Sequence, residues 1–413
     1  MSKITYFLFS SLFFLVACQT SNDSNWSVTV LPLETQHSGM PNLFVNAEGA
    51  ATLTWIEQPT DTFAVLKMAQ LIDKSWTTSQ TIAQGDNWFV NWADFPAFAQ
   101  FPGSDSQMAA HWLQKRAAGT FDYDIRVAIS EDDGQQWSDS FILHRDEIAA
   151  EHGFVTLLPI GEDRIFATWL DGRNTKTDSP EPSAEHGHGG GGAMTLRTAE
   201  FDAQGNLYEE AELDNRICDC CQTDAVITEH GPIIVYRDRS EQEIRDISVI
   251  RKVGGIWSDP QGIGSDHWQI NGCPVNGPAI AAQGNRVAVA WFTMASDTPK
   301  VQVVFSQDNG ASFGMPIQVD AGNPLGRVDI VFNEKDQVFV SYLEDSNENT
   351  QVRIVPVTQD GIVGPAIAEI PVEAARKSGF PILEKLKEGY LFAMTEVLEE
   401  NTQVRTYLLQ DMN

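Results

Sequence analysis

Apolar residues along this chain recur in short alternating runs, and each of seven such runs ends in a bulky tip. The tips are Trp55, Trp112, Trp169, Tyr236, Trp291, Tyr342 and Met394, spaced by 57, 57, 67, 55, 51 and 52 residues. Around each tip the order repeats. A Gly/Pro-rich approach leads into an apolar strand, a Gly- or Asp-bearing turn leads into the tipped strand, and an alternating strand follows. Examples of this third strand are residues 124–129 and 301–305, and a short outer strand comes after it. Period-two alternation bounded by Gly, Asp and Asn clusters predicts strands, and no segment carries a convincing amphipathic helical pattern. A unit of fifty-odd residues with no helical phase cannot bury its faces alone, which predicts an all-β radial array of small sheets. The reading is therefore a seven-bladed β-propeller, with six blades as the alternative if one unit is an insertion.

A strand-like segment at residues 27–33 precedes the first unit, and the last unit, ending near Leu409, lacks an outer strand. The N-terminal strand is expected to supply it and close the ring, removing two open edges. The long 67-residue step contains residues 175–192, with His186, His188 and a run of four glycines. That stretch reads as a flexible loop over one face, with metal binding by the histidines as the alternative.

Residues 1–17 read as a signal peptide. Lys3 opens it, and residues 4–17 form an apolar run too short to span a bilayer. The run ends in Leu15-Val16-Ala17-Cys18, which resembles a bacterial lipobox. The resemblance implies lipidation of Cys18, a polar tether over residues 18–25, and a propeller domain over residues 26–413. Gln19 favours the outer membrane in the enteric sorting pattern. The expected location is thus the bacterial cell envelope, with the membrane met through the lipid alone. With 57 acidic against 27 basic residues and a net charge of −30, nucleic acid is not an expected partner.

Two turns, Ser130-x-Asp132-x-Gly134-x-x-Trp137 and Ser306-x-Asp308-x-Gly310-x-x-Phe313, share one pattern. Asp caps such a turn with its own carboxylate and Gly permits positive φ. The pattern resembles the Asp-box of the sialidase superfamily, whose fold is a propeller and whose Asp-boxes lie away from the active centre. That family clamps a substrate carboxylate with three arginines and uses a Tyr–Glu nucleophile with an Asp acid/base. Its first arginine sits in an Arg-Ile/Val-Pro motif, where this chain has Gly39-Met40-Pro41. The resemblance thus covers the fold and breaks at the catalytic centre.

In such a fold the residues before each inner strand face the axial funnel. Cys218, Cys220, Cys221 and Cys273 all hold that address, in neighbouring units. Three readings stay open: two disulfides, a thiolate metal site for copper or zinc with His152 or His267 as a further donor, or a redox-active thiol. Strand exits bring charge to the same face through Asp171-Gly172-Arg173 and through Arg237, Asp238, Arg239, Arg245 and Asp246. Arg237 and Arg239 can attract an anionic small ligand or simply pair with their acidic neighbours. The leading expectation is metal or small-ligand binding at the cysteines. The alternative is a divergent glycosidase of sialidase type using Asp94, Glu151 or Asp224, with the cysteines as staples; a scaffold without a small ligand is the third.

Overall fold

The computed structural model describes residues 25–176, 192–346, 349–399 and 401–412. They form seven antiparallel sheets around one axis. From the axis outward, blade 1 is Ser38–Val45, Ala51–Glu57 and Ala64–Ile72, edged by Ser75–Trp76 and Gln80–Gly85. Blade 2 is Phe98–Gln100, Met108–Lys115, Tyr123–Ser130 and Phe141–Ile142, and blade 3 is His152–Ile160, Arg164–Asp171, Met194–Asp202 and Leu207–Ile217. Blade 4 runs from Asp224–Thr228 through Gly231–Arg237 and Ile247–Val253 to Ile256–Trp257 and Gln261–Ile263. Blades 5, 6 and 7 start at Ala279–Gln283, Pro324–Phe332 and Ile382–Lys385.

The second strand of each blade lies between two neighbouring sheets, so both its faces are covered. That is why Ala51–Glu57 is almost wholly buried rather than alternating. Trp55, Trp169, Trp291, Tyr236 and Tyr342 rank among the largest fully buried side chains. Most of these tips also satisfy their polar end. Trp169 Nε1 donates to Asp171 Oδ2 at 2.8 Å, Trp291 Nε1 to Asp266 Oδ2 at 2.7 Å, and Tyr236 Oη to Asp214 Oδ2 at 2.6 Å. A large apolar body with a paired polar tip stabilises the blade interface without leaving a buried donor.

The ring closes through the N-terminal strand. Trp26–Leu31 pairs antiparallel with Thr402–Asp411, in register from Trp26↔Asp411 to Leu31↔Thr406. Against the span 27–33 read from the sequence, the strand begins one residue earlier and ends two residues sooner. Trp26 stands at the rim opposite the loops that precede the inner strands, because Leu31 leads up to Ser38.

Both Asp-box turns form. Gly134 N donates to Ser130 Oγ at 2.9 Å and Gln136 N to Asp132 Oδ1 at 2.8 Å; Gly310 N and Ser312 N repeat these bonds on Ser306 and Asp308, each at 2.9 Å. Of the insertion at 175–192, residues 177–191 lie outside the described residues, as do the expected signal segment and Cys18.

Candidate thiol centre

The loop between blades 3 and 4 leaves Ile217 and turns sharply before Asp224, which points three sulfurs toward one spot. Sγ of Cys218 lies 3.3 Å from Sγ of Cys221 and 3.8 Å from that of Cys220. All three fall within 4.8 Å of one another. Cys273, from the loop between blades 4 and 5, comes close enough to Cys220 for the two thiols to act on each other, but it stands outside the tight group of three. The four are free, so the disulfide expectation is not met. Bonded sulfurs stand about 2.05 Å apart, whereas tetrahedral thiolates at about 2.3 Å from a metal stand about 3.8 Å apart. Both observed spacings are unbonded, and the longer, 3.8 Å, equals that of the second kind. Cys218 and Cys221 are buried and Cys273 is exposed.

Arg245 reaches into this loop. Its Nη1 donates to Cys218 Sγ and to Asp219 Oδ1, both at 3.3 Å, and Nη2 donates to Glu243 at 2.9 Å. Burial pushes the Cys218 thiol up, but hydrogen bonds with Cys220 and Cys221 and the Arg245 charge carry it well below the ordinary value. Cys220 and Cys221 go the other way, Cys220 because it donates to its sulfur neighbours and Cys221 because it is buried. One thiolate held by partner thiols and an arginine is the donor set a soft cation would take over.

The other residues expected at the centre divide. Glu151 is close enough that Asp219, Asp94 and Cys273 all act on it electrostatically, although burial is the main reason its carboxyl is raised. Tyr123 Oη donates to Glu151 Oε1 at 2.9 Å, a pairing the sequence did not reveal. Tyr123 is fully buried, with Phe89 stacked on it at 4.1 Å, so it does not face a substrate. Asp94 accepts Phe154 N at 2.9 Å and is pushed up to about 7 by burial. Asp224 accepts Ile280 N at 2.8 Å, and burial likewise takes it to about 7. It lies lower, in an axial cavity of about 410 Å³ shared with Asp329 and Glu384. Asp94 and Asp224 thus tie the start of one blade to the next, Asp224 half-buried on the cavity wall, and Glu151 is held by Tyr123; the three do not form a facing pair in an open cleft.

His152 does not complete the thiol set. Its Nδ1 donates to the carbonyls of Tyr123 and Ala150, each at 3.1 Å, and its Nε2 stands 2.8 Å from Asp146 Oδ2. It stacks on His144 at 3.6 Å inside a clasp with Asp124, Asp146, Asp171 and Arg173. His267 is also elsewhere, its backbone held by Asp246. Arg237 is not an anion clamp. It is 2% exposed and donates to the carbonyls of Asn276, Arg245 and Phe292 at 2.9, 2.6 and 2.7 Å, stitching blade 4 to blade 5. Arg239 is spent on Glu243, with Nε at 3.0 Å and Nη2 at 2.7 Å.

The sequence places Arg327 at a funnel address but assigns it no role. Three inner strands begin with a bulge that places one residue at positive φ: Met40 at 53°, Phe154 at 54° and Arg327 at 56°. Holding a non-glycine there costs of order 1–3 kcal/mol and points to a functional or packing constraint. Two of these side chains are apolar; the third is a guanidinium lying 5.1 Å above Trp92 and 6.0 Å from the Phe380 ring. Arg327 donates to Ser378 Oγ and to the carbonyls of Gly379 and Ala375, all neutral acceptors. Burial without an acidic partner lowers it to about 10.

No protein-family model matches the chain, and no curated sequence matches it. Solved structures do match its fold. The polysaccharide lyase Uly1 superposes with a TM-score of 0.58 at 9% identity, over 90% of this chain and 89% of its own. A protein of unknown function from Dyadobacter fermentans gives 0.51 at 13% identity, over 94% and 99%. The NanB sialidase of Streptococcus pneumoniae gives 0.46 at 8% identity, over 94% and 95%. At such identities the likeness establishes the propeller and none of its chemistry.

Proposed function

We propose that this propeller binds a soft metal ion, copper(I) or zinc(II), on Cys218, Cys220, Cys221 and Cys273. The observation that carries the reading is the convergence of three sulfurs from one tight loop, at unbonded spacings near those of metal thiolates, with a fourth sulfur arriving from the next blade. Thiolate donors favour these two ions over hard cations. Protein purified without chelator, or reconstituted anaerobically with either ion, should carry about one metal per chain and yield about four titratable thiols after the metal is stripped. A chain that takes up neither ion under those conditions sinks the reading.

A glycan-directed role is the second reading, and one observation favours it. Arg327 with Trp92 and Phe380 offers a cation over aromatic faces, its hydrogen bonds made to neutral acceptors, on a strongly acidic molecule. A polysaccharide lyase shares the fold. Binding of acidic but not neutral oligosaccharides, quenching Trp92 fluorescence and weakened in Arg327→Gln, is the expected result; equal or no binding of both removes this reading. The lipobox-like Leu15-Val16-Ala17-Cys18 supports envelope anchoring by lipid. Metabolic labelling with a clickable fatty acid should mark the wild-type chain and not Cys18→Ala; label retained in the variant rules out that anchor.

A further inference from the structure

The four sulfurs are not equivalent. Cys218, Cys220 and Cys221 ride on one short loop whose ends are tied: Cys218 N donates to the Arg237 carbonyl at 3.0 Å, and Gln222 Oε1 accepts Gly277 N at 3.0 Å. Two of these sulfurs are sealed from solvent. Cys273 sits in the middle of a span hydrogen-bonded at its edges, by Ile270 N on the Glu243 carbonyl at 3.0 Å and by Asn276, whose Oδ1 accepts Arg327 N at 2.7 Å; beyond Cys273, Val275 packs on the core. Among the described residues, no backbone-to-backbone hydrogen bond joins residues 271–275 to the rest of the chain. Cys273 is also the exposed member of the set. A structural zinc site is closed by four protein ligands; this one has a buried base on one loop and a single exposed outer arm.

We infer that Cys273 is the exchange ligand through which the metal enters and leaves, so that the centre is a carrier site rather than a structural one. This rests on the metal reading above. In the exchange step a soft donor atom of the incoming acceptor bonds to the metal as the metal–Cys273 bond breaks. Cys273 departs with both bonding electrons as a thiolate and takes a proton from solvent, and the metal keeps its oxidation state. Cys218, Cys220 and Cys221 hold the ion throughout. The chemistry of the ion limits which partner fits: it must present a soft donor, such as a thiol or thioether, to the exposed Cys273.

The test follows copper(I) transfer from the loaded full chain to bathocuproine disulfonate by absorbance under anaerobic conditions, for wild type, Cys273→Ser and Cys218→Ser. The expected pattern is one copper per chain in wild type and in Cys273→Ser, transfer at least ten-fold faster in Cys273→Ser because its position stands open, and near-complete loss of copper in Cys218→Ser. Circular dichroism confirms folding of each variant, and Cys273→Ala repeats the exposed substitution without a hydroxyl. If Cys273→Ser loses copper as fully as Cys218→Ser, the site is closed and the inference is wrong. Unchanged transfer rate removes Cys273 from the site altogether. A wild-type chain that holds no copper or zinc defeats the metal reading itself, which is a different outcome.

Discussion

Two sets of carboxylates in this molecule, one sealed between blades 2 and 3 and one half-buried on the wall of the axial cavity, are displaced in opposite directions. In the clasp between blades 2 and 3, Asp124, Asp146 and Asp171 all sit below the ordinary range. Burial alone pushes each up. For Asp146 it is outweighed by hydrogen bonds with His144 at 2.7 Å and His152 at 2.8 Å and by their charges, and for Asp171 by the two-pronged Arg173 bond. Around the axis, Asp224 rises to about 7, Asp329 to about 8 and Glu384 to about 8, with burial the largest cause each time. Asp329 accepts Leu383 N at 2.6 Å, yet among the described residues its hydrogen-bond partners are backbone amides alone. Desolvation raises every member of both sets, so the partner decides: a cation holds a desolvated carboxylate ionised, while an amide does not.

The sharpest way to break this comparison is to remove the hub of the clasp. Asp146→Ala leaves His144, His152 and Arg173 facing one another without the carboxylate between them. Breaking a buried charge network by deleting one partner costs about 3–5 kcal/mol. Denaturant unfolding at neutral pH should show a loss of that size, with metal content unchanged. A loss under about 1 kcal/mol would mean the clasp behaves as a solvated surface cluster.

Opposite displacements also give opposite pH signs. The clasp carboxylates have depressed folded values, so their contribution is present above about pH 4, the unfolded value, and is lost on further acidification. The axial carboxylates have raised folded values. Their state is most favourable below about pH 4 and becomes costly as pH climbs from there to about 7 or 8, after which the cost is constant. His144 is raised: burial lowers it, but bonds and charge from Asp124 and Asp146 win, so its support fades as pH rises through its folded value. The three trends together place the maximum of their summed contribution at about pH 4, where the clasp is ionised and the axial carboxylates are still protonated, with a decline as pH climbs toward about 8. Asp329→Asn should match wild type near pH 4 and exceed it at pH 9 by at least about 1 kcal/mol, since a tenfold change in proton affinity corresponds to about 1.4 kcal/mol. A variant less stable than wild type at pH 9 would show that ionised Asp329 is supported by something beyond its two amides.

The sequence disclosed these elements unevenly, for physical reasons. Blade number, tip residues and ring closure were legible because period-two strands and a spare N-terminal strand leave one economical arrangement. The proximity of Cys273 to Cys220 followed from the same topology. What a residue touches across a blade boundary did not. Arg237 looks like a free cation beside Asp238, but the Asn276 and Phe292 carbonyls of the next blade take its donors. His152 sits at a funnel address, yet Asp146, six residues earlier in an irregular connection, draws its ring away from the thiols. Arg327 had a readable signal: a Gly-x pair opens three inner strands, and x is Met40, Phe154 and, out of pattern, Arg327.

Asp308 supplies the third case, and the smallest effect. This Asp-box carboxylate lies at the surface, so burial barely acts on it. Its value still falls to about 2, first through the Ser312 hydroxyl and then through Ser306 and the Ser312 amide. Partners without charge thus lower an exposed carboxylate, whereas the same kind of partner fails for half-buried Asp329, because desolvation there outweighs it. Asp308→Ala should cost about 1 kcal/mol, the net worth of a typical hydrogen bond exchanged with water. The loss should appear above about pH 4 and shrink below it as the wild-type carboxylate protonates, since depression of the folded value places its contribution on that side. Equilibrium unfolding of the variant at pH 7 and at about pH 2.5 measures both points. A cost equal to that of Asp146→Ala would mean that exclusion from water adds nothing to the clasp, and the contrast between the two sets would then rest on partner charge alone.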